Sequence, residues 1–146
     1  MKYLHGETVA LYIAACAIAT GIGGCSTDQE YKLSHLSACA NLSFPEGADV
    51  VWYQHDSQFR ESTSVAVVDI PIESVSEFKH RSGFAEFAPG VPSSWKSDWT
   101  ATGMNDLLMT AAANEQSVEG YRDPRRYVVI HDSGDKARRI FVHTDC

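Results

Sequence analysis

The chain is poor in basic residues, has no cysteine pair at redox or metal spacing, and lacks the common catalytic fingerprints. Lys and Arg number 12 against 19 Asp and Glu, a formal net charge of −7. That balance excludes a strongly basic nucleic-acid binder, which needs a positive surface to displace phosphate counterions. No GxSxG, P-loop, HExxH, CxxC or dinucleotide-binding glycine pattern occurs. A nucleophile elbow, a phosphate cradle, a zincin helix and a redox dithiol therefore all lack their residues. Internal repeats and low-complexity tracts are missing too, which excludes repeat arrays and collagen-like polymers. What is present, 146 residues at 44% hydrophobic and 21% charged, is the composition of one small, mildly acidic globular domain.

The first two dozen residues differ from the rest. Lys2 is their only Lys or Arg, and residues 9–24 carry no charge before Cys25 and the polar run that follows. A membrane-spanning helix needs about 20 apolar residues, and this stretch ends in Gly21, Gly23 and Gly24, so it has the proportions of a secretory h-region. Ile22-Gly23-Gly24-Cys25 resembles the lipobox of bacterial lipoprotein signal peptides; Ile13-Ala14-Ala15-Cys16 is a second, weaker match. The resemblance implies removal of residues 1–24 and acylation of Cys25, with multiple acyl chains giving a stable membrane anchor. Residues 25–32 then form a lipidated tether and residues 33–146 a single domain. Ser26 follows the cysteine where an Asp resembles an inner-membrane retention signal. In a two-membrane host this favours the outer membrane or periplasm; in a single-membrane host the domain sits on the outer face of the cell membrane.

Without residues 1–24 the charge stays at −7, from 11 basic and 18 acidic side chains. If Cys25 is acylated, Cys39 and Cys146 remain as an even pair in an oxidising compartment, and a disulfide between them is expected. Closing a loop of about a hundred residues contributes at most about 4 to 5 kcal/mol in the chain-entropy model. Two unpaired thiols are the alternative; two ligands are too few for a structural metal site.

Hydrophobic periodicity predicts a short helix over 34–41, a turn at Pro45-Glu46-Gly47, strands over 49–55 and 64–70, and a helix over 72–82 ending at Gly83. Residues 84–103 are irregular. Residues 105–113 favour helix, although 104–109 also suit a strand. Strands over 126–131 and 137–144 around Asp132-Ser133-Gly134-Asp135 form the clearest hairpin, and their consecutive apolar residues place them centrally in a sheet. The expected fold is α+β: an antiparallel sheet of about four strands in two hairpins, with two or three short helices on one face.

His55-Asp56, His131-Asp132 and His143 with Asp145 are the groupings that suggest metal or acid–base chemistry. The final turn should pair His131 with residue 136 to 138, leaving His143 at least five residues farther along, about 16 Å at strand rise. No metal, cofactor or catalytic residue is therefore expected. Arg122, Arg125, Arg126, Arg138 and Arg139 make a basic cluster suited to an anionic polymer, but Arg138 and Arg139 point to opposite faces of a strand, and a solvated edge with salt bridges is the preferred reading. Phe84, Phe87, Trp95 and Trp99 are the candidate binding residues. They either form an exposed aromatic platform for sugars, peptides or partner side chains, or cover the sheet as core.

The sequence thus reads as a lipid-anchored, non-enzymatic cell-envelope domain that binds a macromolecule, an envelope protein or polymer and not nucleic acid, through residues 84–100. The alternative is an inhibitor, immunity or prophage exclusion lipoprotein that blocks a basic enzyme or toxin by charge complementarity. Lysozyme-inhibitor lipoproteins are similar in size but are all-β barrels. The order of signal, FPEGADVVW, helix ending in Ser-Gly-Phe and final hairpin resembles small bacterial lipoproteins of uncharacterised activity. An enzyme is the third possibility and requires an acidic cleft around His55, His131 or Asp132.

Overall fold

The computed structural model describes residues 24–59, 61–92, 99–120, 125–134 and 136–146. In chain order these form α1 (Gly24–Ala40), β1 (Asp49–Ser57), β2 (Ser62–Pro71), a 3-10 turn (Ile72–Ser74) running into α2 (Val75–Arg81), β3 (Ala88–Pro89), three further 3-10 turns between 100 and 113, β4 (Asn114–Glu119), β5 (Arg125–Asp132) and β6 (Ala137–Asp145). One antiparallel sheet takes all six strands in the order β1-β2-β6-β5-β4-β3. The α+β class and both expected hairpins are present. The sheet has six strands where about four were expected, because β3 and β4 carry no alternating apolar pattern.

β2, β6 and β5, each with consecutive apolar residues at its middle, occupy the centre, where both faces are covered. Alternation sends Ala66, Val68, Ile70, Val128, Ile130, Ile140 and Val142 to one face, where Leu36 and Ala40 of α1 and Phe78 of α2 close over them. Val67, Val129 and Phe141 point to the other face and meet Trp99 and Leu108 from the turn-rich segment. Both α-helices therefore lie on one face, as the sequence indicates.

α1 starts earlier than residue 34, so the polar stretch before it is helical. Lys32 pairs with Asp28 one turn away, and Gln29 reaches the outer edge of β1. Its Oε1 accepts from Val50 N at 2.7 Å and its Nε2 donates to Val50 O at 3.1 Å, so one side-chain amide stands in for a neighbouring strand. The helix stops at Asn41, whose φ of 51° is the left-handed conformation that Asn tolerates best among residues with a side chain. No helix among the described residues is long and apolar enough to cross a membrane.

Residues 105–113 are not one helix. They break into 3-10 turns at Asn105–Leu108 and Ala111–Ala113, because the Asn114 amide donates to the carbonyls of Leu107 and Thr110 at 2.9 and 2.7 Å and offers the backbone an alternative to helical pairing. Cys39 and Cys146 are joined in a disulfide with a Cα–Cα distance of 5.6 Å. It links the last turn of α1 to the residue beyond β6.

Candidate functional site

Arg126 organises the ground around the candidate residues. It lies on β5, 9% exposed, where its Nη1 donates to the carbonyls of Ala40, Asn41 and Ser82 at 3.2, 3.1 and 2.7 Å. Those carbonyls end α1 and α2, so one guanidinium meets the negative ends of two helix dipoles. Nε and Nη2 grip Glu119 of β4, and the guanidinium lies 4.3 Å from the centre of the Phe84 ring. Phe84 meets Phe87 edge to face at 5.1 Å, and Lys79 of α2 sits 4.4 Å above Phe87 while paired with Glu115. Phe84 and Phe87 are half-buried and sandwiched between cations and the core.

A cleft of about 630 Å³ opens beside this assembly, between residues 85–88 and residues 116–119. Its origin is a divergence of strands. β3 pairs with β4 only at Ala88↔Gln116 and Pro89↔Glu115, whereas β4 runs on to Glu119, so the outer edge of β4 loses its neighbour after Gln116. Val118 is half exposed there. Glu119 bridges the gap: its Oε1 accepts from Ala85 N at 3.2 Å while its Oε2 stays with Arg126. Glu86, at the rim, has no cationic partner among the described residues. An unpaired strand edge beside a phenylalanine, small alanines and one free carboxylate can receive an extended chain.

Of the four predicted binding residues, only Phe87 lines the cleft, with Phe84 supporting it from behind. Trp99 is fully buried, 5.7 Å from Phe141, with its Nε1 donating to Val142 O at 3.4 Å. It fills the core of the second face and is unavailable as a surface platform, which is the core alternative of the two the sequence leaves open. Trp95 lies outside the described residues, as does Arg122. The lipidation candidate Cys25 lies within α1.

The histidines are dispersed. His131 faces Arg139, one residue beyond the expected window, which leaves four residues, about 13 Å at strand rise, between it and the position of His143. His131 Nδ1 bonds Asn114 Oδ1 at 3.1 Å, and burial together with the neighbouring Arg139 lowers its pKa. His143 Nε2 is 3.4 Å from Asp145. Among the described residues no group of three or more His, Cys, Asp or Glu is placed to hold a metal ion. The arginines are equally scattered, Arg138 pairing with Asp132 and Arg139 with Asp69. Composition flagged Arg126 only as one member of a basic run; its part in ending two helices depends on contacts 44 to 86 residues away in the chain. No protein-family model, curated protein or solved structure matches the chain.

Proposed function

We propose that this is an exported, lipid-anchored domain of the bacterial cell envelope, without catalytic activity, that binds an extended segment of an envelope protein in the cleft beside β4. The observation that carries the binding half is the unpaired edge of β4 beyond Gln116, open beside Phe87. Strand addition uses main-chain hydrogen bonds for affinity and side-chain pockets for selectivity, and Phe87 and Glu86 supply one apolar and one acidic contact. The Cys39–Cys146 disulfide supports the export half, since such bonds persist in oxidising compartments. So does the lipobox Ile22-Gly23-Gly24-Cys25.

Intact mass spectrometry of the chain from bacterial membranes, with and without reduction, tests the anchor. A mass starting at acylated Cys25 that gains two hydrogens on reduction is expected; an unprocessed, unacylated chain rejects it. For the cleft, a photo-crosslinking residue at Phe87 should give a discrete adduct in the envelope that the same residue at exposed Ser76 does not. Equal labelling from both positions, or none from Phe87, rejects the site.

A further inference from the structure

Away from the cleft, the fold sets two histidines from different elements side by side. His35 on α1 and His55 on β1 have ring centroids 4.5 Å apart and ring planes at 69°. A hydroxyl holds each ring through Nδ1: Tyr53 Oη at 2.9 Å for His35, and Ser64 Oγ at 2.9 Å for His55. Ser64 is fully buried and so is a fixed support. Both Nε2 atoms are left without a hydrogen-bond partner among the described residues.

Metal-ligating imidazoles bind the ion through one nitrogen while the other is held by a polar group that fixes tautomer and ring orientation, and Tyr53 and Ser64 stand at Nδ1 of His35 and His55 in that second position. Two imidazoles bound in cis to one ion at about 2.0 to 2.1 Å have ring centres roughly 4.5 to 5 Å apart. Burial of His35, with His55 beside it, lowers the His35 pKa and keeps the ring in the neutral form that offers a lone pair.

We propose that His35 and His55 bind a divalent ion of the copper, nickel and zinc group through their Nε2 atoms, with Tyr53 and Ser64 as positioning residues. Imidazole is the ligand these ions share. Water completes the coordination, because the described residues bring no third His, Cys, Asp or Glu to the pair. With two protein ligands and water this is an open site, not the closed four-ligand kind a structural metal needs, and an ion bridging α1 and β1 there stabilises the folded state by mass action.

The test uses the full-length, untagged chain with copper(II) chloride or zinc(II) chloride alone. Copper(II) electron paramagnetic resonance should show one ion with two nitrogen ligands, and saturating zinc should raise Tm by several degrees. His35→Ala and His55→Ala should each weaken copper binding at least tenfold and abolish the Tm rise, while His80→Ala, on the exposed side of α2, keeps both. Far-UV circular dichroism checks that each variant is folded, and His35→Gln substitutes for His35→Ala if the latter is not. Copper affinity or a zinc-induced Tm rise unchanged in the double variant overturns the site. So does a sulfur-ligated spectrum that survives in it, which assigns the ion to the thiols of Cys16 or Cys25.

Discussion

On one face of the sheet, two helices lay Leu36, Ala40 and Phe78 across a continuous aliphatic floor; on the other, a run of 3-10 turns from Trp99 to Ala113 covers Val67, Val129 and Phe141 with buried Trp99 and Leu108, flanked by half-buried Met104 and Leu107. The helix-covered face is held by area, many side chains each contributing a share. The turn-covered face is held by a few specific bonds. Trp99 Nε1 to Val142 O, Thr102 Oγ1 to Trp99 O at 2.6 Å, and the Asn114 amide to Leu107 O and Thr110 O fix a segment that has little burial of its own. A short irregular segment can thus seal a sheet when one large ring is anchored and its backbone carbonyls find side-chain donors.

Truncating the two largest rings sharpens this contrast most. Phe78→Ala and Trp99→Ala should each cost about 3 to 5 kcal/mol in denaturant unfolding, but hydrogen exchange should separate them. Loss of Phe78 lowers protection across the sheet, whereas loss of Trp99 opens residues 100–113 locally while the centre of β2, β6 and β5 keeps most of its protection. Unchanged protection over 100–113 in Trp99→Ala would show that Trp99 does not hold that segment. Next in size is Arg126→Leu, at about 2 to 3 kcal/mol, since it strands the Glu119 carboxylate and the carbonyls that end α1 and α2. Arg126→Lys should recover only part of that in the same unfolding assay, because an ammonium cannot reproduce the guanidinium fork.

The smallest effect is pH dependence, to which both faces contribute. His35 on the helix side and His131 on the turn side both have folded pKa values below the ordinary 6.5, largely through burial. The unfolded chain then takes up protons first as the pH falls, so their contribution is complete above about 6.5 and is lost as the pH drops through the folded values. Stability measured across that range should fall on acidification, and His131→Gln should remove part of the slope and leave the part due to His35. A slope unaltered by both His131→Gln and His35→Gln refutes the assignment.

The same contrast explains what the sequence reveals. Residues 64–70, 72–82 and 126–144 are legible because burial on an aliphatic floor leaves apolar residues at period 2 or 3.6. β4 is invisible to that test: its buried residues, Asn114 and Ser117, are polar, and its only aliphatic residue, Val118, faces water. The first half of α1 hides for a similar reason, since Gln29 docks by hydrogen bonds and the helix shows no apolar stripe there. Of the candidate site, Phe84 and Phe87 are recoverable from composition, but the divergence of β3 from β4 that opens the cleft depends on strand pairing. The pairing of His35 with His55 is likewise set by how α1 crosses β1, which no local pattern encodes.

The Cys39–Cys146 bond has a mechanical consequence. Between Gly24 and Cys146 the shortest covalent route runs along α1 and straight across the sulfurs, bypassing all six strands. A pull on those two points unwinds the helix and then goes taut, while the sheet, enclosed in a covalent ring, bears no load. Tension reaches the strands only if one handle is attached inside the ring, at a partner gripping β4 for instance. The domain thus has a soft axis ending in α1 and a stiff one through the sheet, and reducing the bond would merge the two.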